Sequence, residues 1–246
     1  MNSASPIVLL HGVGLDKTMW HAFAGELQSD WRALDLPGHG GQPPLRREQT
    51  LASMAEDVLG RLPDGRVHLV GFSLGSLIAQ YIARFAPDRV LSLTCVSSVC
   101  HRTAAERVAV EARLNSAKVD FAASVAASID RWYPAGTPAS DEAIERTRRT
   151  LLHNDVESYL HAYAVFAHGD AEIGPELGSI RCPTLAITGE RDPGSTPEMS
   201  ERLAAAIPDS RVIVVPNARH MLPIESAVPL RESITSLIAE SKGVTL

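Results

Sequence analysis

Short apolar runs alternate along this chain with longer stretches of helical periodicity. The runs at 7–10, 31–34, 67–70, 90–96, 184–188 and 211–215 predict six buried strands. Helix-like segments at 19–27, 51–62, 74–85, 197–207 and 227–238 fall between most of them. That βαβα order predicts a mostly parallel sheet with helices on both faces. Thr196 followed by Pro197 reads as a helix start, with a capping hydroxyl and a proline at the first helical position. One interval breaks the alternation. From His101 to about Gly178 there is only helical periodicity, interrupted at 134–138 and near Asn154. We read residues 1–100 and 179–246 as one α/β core and 101–178 as a helical insertion. Because it follows the strand ending near Ser97, the insertion is expected above the carboxyl ends of the strands, where ligands of such sheets bind and where it can act as a lid.

Composition narrows the class. The 246 residues are 45% hydrophobic and 21% charged, enough for one compact unit with a sizeable core. The net charge is −6 and basic residues are scattered among acidic ones, so neither a nucleic-acid stripe nor a membrane-binding face is expected, and the partner should be a small molecule. The first ten residues lack a basic head and carry only the short run 7–10, so no secretory signal is expected, and no window approaches a membrane span. Cys95, Cys100 and Cys182 form no metal spacing and leave an odd thiol, which suits a reducing cytoplasm. Cys95 and Cys182 read as core, and Cys100 falls near a strand end.

The candidate chemistry starts at Gly71-Phe72-Ser73-Leu74-Gly75, where the third apolar run stops and a helical run begins. A serine on such a strand-to-helix elbow is held in a strained backbone conformation, and the residues two before and two after it must be tiny for strand and helix to approach. Gly71 and Gly75 meet that demand. A chain of this length shows the bare pattern by chance about one time in ten, so its placement is the stronger signal. A serine hydroxyl is a poor nucleophile near neutral pH and needs a base, which needs an orienting acid. His220 follows the last strand within Pro216-Asn217-Ala218-Arg219-His220 and is the expected base. Asp192, in Gly189-Glu190-Arg191-Asp192-Pro193, lies after the fifth strand and is the expected acid, with Glu190 as its competitor. His11 and His39 sit in glycine-rich segments and read as structural, bonding loop backbone. His161 and His168 read as surface or packing residues. No cluster has convincing metal spacing, and neither metal nor organic cofactor is expected.

With the order Ser73, Asp192, His220, and with Leu9-Leu10-His11-Gly12-Val13-Gly14 after the first strand and Asp35-Leu36-Pro37-Gly38-His39-Gly40 after the second, the chain resembles the α/β-hydrolase family over nearly its whole length. The resemblance implies an acyl-enzyme mechanism on a carboxylic ester or lactone, with the backbone N–H groups of Leu74 and Val13 as the oxyanion hole. It also implies a departure. Only six residues precede Ile7, so the two strands that commonly open this fold are missing or reduced, and the sheet should expose an edge or cover it with a second subunit in a homodimer.

Specificity should come from the insertion. Arg131-Trp132-Tyr133, the 159–163 segment with Tyr159 and Tyr163, and Asp170 resemble the lid of 3-oxoadipate enol-lactonases, whereas 51–100 resembles the core of pimeloyl-carrier methyl ester esterases. Trp132 is the leading pocket candidate, with Phe121, Tyr159 and Tyr163 behind it. An enol-lactone carrying a carboxylate needs a cation nearby, for which Arg131 is the natural residue. Arg146, Arg148 and Arg149 read as a solvated helix face. The same triad also serves carbon–carbon hydrolases of ring-cleavage products and, as a side reaction, peracid formation. From another class, a non-catalytic ligand-binding protein can keep the fold.

Overall fold

The computed structural model describes residues 5–241. In chain order the elements are β1 (Ile7–Leu10), a 3₁₀ turn (Lys17–Trp20), α1 (His21–Ala24), β2 (Trp31–Leu34), α2 (Leu51–Gly60), β3 (Val67–Phe72), α3 (Leu74–Phe85) and β4 (Val90–Val96). Then follow α4 (Ala104–Val119), α5 (Phe121–Trp132), α6 (Asp141–Leu152), α7 (Val156–Ile173), β5 (Thr184–Gly189), α8 (Pro197–Ala206), β6 (Ser210–Val215), α9 (Leu222–Glu225) and α10 (Ala227–Ser241).

The strands form one sheet in the order β2-β1-β3-β4-β5-β6, with every neighbouring pair parallel. Successive residues of a strand point to opposite faces, and here both faces are buried. Val8 and Leu10 of β1 and Leu69 of β3 join one core cluster with residues of α2, α3, α7 and α8; Ile7, Leu9, Val70 and Phe72 join the other, with α10 and the α1 region. Removing such a fully buried side chain costs roughly 2–5 kcal/mol for leucine to alanine, so this two-faced burial is what holds the scaffold. The continuous apolar runs of the sequence are its direct imprint.

β2 and β6 are the two edges of the sheet among the described residues, and β2 lies at the end nearer the first strand. It is four residues long, only partly buried, and carries the exposed Arg32, the short charged form that discourages strand addition. The chain runs from β1 outward to β2 and then returns past β1 to β3. The strand order therefore reverses between β1 and β3, and the crevice beyond their carboxyl ends is where such sheets bind ligands. Val13 follows β1 there, and Ser73 follows β3.

Two local expectations need correction. Residues 19–27 do not form one helix: a 3₁₀ turn capped by Asp16 leads into the four-residue α1, which buries Phe23 and Ala24 and stops before Gly25 and a polar run with little to bury. Thr196 does precede α8, with Pro197 in its first turn, but its hydroxyl caps no helix amide; it bonds Glu198 instead, which holds that carboxyl below its usual range. The stretch between β4 and β5 contains only helices among the described residues, and these pack over the carboxyl end of the sheet through α7 on α3 and α2. No helix of the described residues is long and apolar enough to cross a membrane.

Candidate active site

Ser73 sits at φ 53° and ψ −114°, a backbone conformation that costs a non-glycine residue on the order of 1–3 kcal/mol. The surroundings hold it there. A Cβ on Gly71 would lie 2.3 Å from the Gly75 carbonyl oxygen, and one on Gly75 would lie 2.5 Å from that of His11, so strand, elbow and first loop meet at distances only glycine permits. The Gly75 N–H donates to His11 O at 3.1 Å and the Ser73 N–H to Val96 O at 2.9 Å. The Leu74 amide opens α3, and neither it nor the Val13 amide has an acceptor among the described residues. Both amides lie in the segments that follow β1 and β3, at the crevice end of the sheet.

Asp192 and His220, the expected acid and base, meet across two loops. Gly189 ends β5, and a Cβ there would lie 2.3 Å from Arg219 O, so the loop carrying His220 presses against the strand end. Asp192 is turned inward by its N–H bond to Gly189 O at 3.1 Å. Its Oδ1 accepts from the amides of Gly194 and Ser195, both at 2.9 Å, and its Oδ2 accepts from His220 Nδ1–H at 2.7 Å. The Asp192 side chain is fully buried. With the proton fixed on Nδ1, neutral His220 keeps a free lone pair on Nε2. Glu190 points elsewhere, accepting from the exposed Asn217 N–H. No hydrogen bond joins Ser73 Oγ to His220 among the described residues, but both line one pocket. The His220 ring packs on Phe72 at 4.9 Å and stacks on Trp132 at 5.4 Å and 24°, while Ser97 Oγ holds the His220 carbonyl at 3.0 Å.

His11 and His39 serve the neighbouring loop. Leu36 N–H donates to His11 Nε2 and Gly14 N–H to His39 Nε2, each at 2.9 Å, so in both rings the proton sits on Nδ1, which donates to Gly12 O and Pro37 O respectively. Burial pushes the two imidazoles down to about 4 and about 3, and each stays neutral as an acceptor. Burial likewise pushes the Cys95 and Cys100 thiols up to about 12 and Cys182 to about 11, which keeps them protonated and unreactive.

The pocket around Ser73 is small, about 40 Å³, and is lined by Val13, Asp192 and His220 from the core and by Arg131, Trp132, Tyr159 and Tyr163 from the helices above. Phe121 does not line it; its ring packs edge-on against Tyr159 at 5.0 Å, behind the wall. Sequence reasoning missed Arg113, Ser128, Phe166 and Ser195, which also line it. Phe166 lies in the helical insertion without a local signal of its own, and nothing local marks Arg113. A larger cleft of about 540 Å³, lined among others by Arg146, Arg149, Asp16 and Asp155, includes neither Ser73 nor His220. Asp170 lies outside the pocket as well, tied to the buried Arg102 at 2.6 Å. Among the described residues no group of three or more metal-ligating side chains comes together.

The chain is 30% identical over 234 residues to an (E)-2-((N-methylformamido)methylene)succinate hydrolase of Acinetobacter baylyi, covering 93% of this chain and 88% of that protein. It is 31% identical over 228 residues to a pimeloyl-[acyl-carrier protein] methyl ester esterase of Aeromonas hydrophila, covering 87% of each. The solved enol-lactonase of Burkholderia xenovorans superposes with a TM-score of 0.83 at 26% identity, over 96% of this chain and 92% of that one. The model of the alpha/beta hydrolase family matches residues 7–232, which takes in all six strands, the Ser73 elbow and the Asp192–His220 pair; the chain belongs to that family.

Proposed function

We propose that this protein is a serine hydrolase that cleaves a carboxylic ester or lactone of a small molecule through an acyl-enzyme. One observation carries the reading. A buried Asp192–His220 pair, joined at 2.7 Å with its Nε2 lone pair free, lines the same pocket as a serine on a strained elbow flanked by two unsatisfied amides. In this reading Ser73 Oγ attacks the carbonyl carbon while His220 Nε2 takes its proton. The carbonyl π pair moves onto oxygen, where the Leu74 and Val13 amides hold it; losing one such donor typically costs roughly 2.7–4 kcal/mol. Collapse expels the leaving alkoxide or enolate, which takes the proton from His220. Water, deprotonated by His220, then cleaves the Ser73 ester and regenerates the serine. Asp192 keeps its charge throughout and stabilises the imidazolium.

The pocket around Ser73 measures about 40 Å³. In this reading the helices that carry Trp132 and Tyr159 move apart to admit substrate, and their return excludes water from the acylation step. Two of the three named relatives are a methyl ester esterase and an enol-lactonase, which supports the ester and lactone class, while the third is named a hydrolase of an (N-methylformamido)methylene succinate. The test is turnover of short p-nitrophenyl esters, lactones and methyl esters by the protein and by Ser73→Ala. The variant should fold and lose on the order of 10⁶ in kcat. Retained turnover, or failure of a fluorophosphonate to label Ser73, refutes the assignment.

A further inference from the structure

The active-site pocket contains two guanidinium groups that lack a carboxylate partner. Arg131, on α5, donates only to Ala127 O at 3.3 Å and to Ser128 Oγ at 3.1 Å. Arg113, on α4, makes no hydrogen bond or ion pair among the described residues. Both line the pocket of Ser73 and His220, and both are partly buried. Elsewhere in the fold Arg61, Arg84, Arg102, Arg202 and Arg231 each hold a carboxylate. The pocket's own carboxylate, Asp192, is already committed to His220 and two amides.

Two like charges in one partly desolvated pocket are unfavourable unless an anion joins them. Burial, then the Arg113 charge, push the Arg131 guanidinium below its ordinary range, with Tyr163, Tyr159 and Asp192 opposing. The packing of α4 on α5 fixes the two stems together, and Ser128 anchors one fork. Ser195, fully buried and lining the same pocket, has a hydroxyl without a partner.

We propose that Arg113 and Arg131 form a carboxylate-binding subsite, so that the preferred substrates are esters or lactones carrying a free carboxylate. The proposal rests on the hydrolase reading above. A planar carboxylate accepts from a guanidinium fork in a way a neutral chain cannot imitate, and it neutralises the pair on binding. The substrate is thereby oriented with its anionic end toward α4 and α5 and its carbonyl toward Ser73.

The test compares mono-p-nitrophenyl succinate with p-nitrophenyl butanoate, esters of equal chain length that differ by the carboxylate. The protein should favour the succinate ester in kcat/KM by about 10–100-fold, the worth of one or two charge-assisted hydrogen bonds, and added salt should shrink that ratio. In Arg131→Met and Arg113→Met the ratio should collapse toward one, with Arg131→Lys in between. A second measurement does not need turnover: free succinate should bind Ser73→Ala by calorimetry and fail to bind Ser73→Ala carrying Arg131→Met. Equal kcat/KM for the two esters, or a ratio unmoved in both arginine variants, overturns the subsite. If neither ester is turned over and Ser73 resists fluorophosphonate, the hydrolase reading fails, and succinate binding by Ser73→Ala then decides the subsite by itself.

Discussion

Lowering the pH from 7 to 5 should destabilise this protein through two histidines that take no part in the chemistry. His11 and His39 are fully buried, their rings 5.1 Å apart edge to face, and each accepts a backbone N–H at Nε2. Protonating either ring orphans that amide, and protonating both places two charges side by side. Burial is the largest cause of both low values, reinforced at His39 by the neighbouring His11 and at His11 by Arg61, and opposed by the Gly12 and Pro37 carbonyls and by Asp35. The folded values of about 4 and about 3 lie below the ordinary 6.5, so the unfolded chain takes up protons first as pH falls. Stability is full above about pH 6.5 and is lost progressively toward the folded values. At about 1.4 kcal/mol per pH unit for each ring, the fall to pH 5 removes roughly 2 kcal/mol per histidine. The two together are a large share of the 5–15 kcal/mol typical of a domain. The window lies above the range where most carboxylates titrate. Urea melts at pH 7.0, 6.0 and 5.0 give the slope, and His39→Gln isolates one ring, since the amide oxygen of glutamine accepts from Gly14 N–H without titrating. The variant should start less stable at pH 7 and lose about 2 kcal/mol less on the way to pH 5. Parallel curves for the two proteins refute the argument.

Two further outcomes follow from the packing. Asp170→Asn leaves Arg102 buried without its counter-charge while keeping a side chain of the same shape; breaking such a pair costs about 3–5 kcal/mol, or a melting temperature lower by roughly ten degrees in a chain of this size, read by differential scanning fluorimetry. Trp132→Ala removes the ring stacked on His220, and an aromatic pair worth about 0.5–1.5 kcal/mol predicts a fall in kcat of about two- to tenfold that Trp132→Phe largely restores, measured on the best ester substrate. An unchanged kcat removes Trp132 from any role in positioning the base.

The scaffold and the placing of Ser73, Asp192 and His220 at one end of the sheet were legible because they rest on short-range rules. The central strands, buried on both faces, must be apolar at consecutive positions and so were visible as runs, and the partly buried edge strands β2 and β6 keep enough apolar residues to show as well. The elbow needs small residues at fixed offsets from Ser73, and a candidate at the end of a strand is placed at the sheet edge by topology alone. Even there a local choice stayed open. Asp192 and Glu190 are two residues apart, and the turn that bonds Asp192 N–H to Gly189 O, with two amides closing on its carboxylate, is what sends Asp192 inward and Glu190 to Asn217.

The pocket was legible only in part. Trp132, Arg131, Tyr159 and Tyr163 were recognised by type and position, but Phe121, counted with them as a pocket candidate, packs behind Tyr159 instead, and Arg113 was not seen. The sequence by itself determined the sheet, the strained serine and the loops from which an acid and a base reach it, because each follows from the residues within a few positions. Only the tertiary structure decided what the helices between β4 and β5 present to that serine. Which face of α4 meets α5, and so which arginines stand together unpaired, depends on packing between helices whose periodicity says that they bury a side and not what lies opposite.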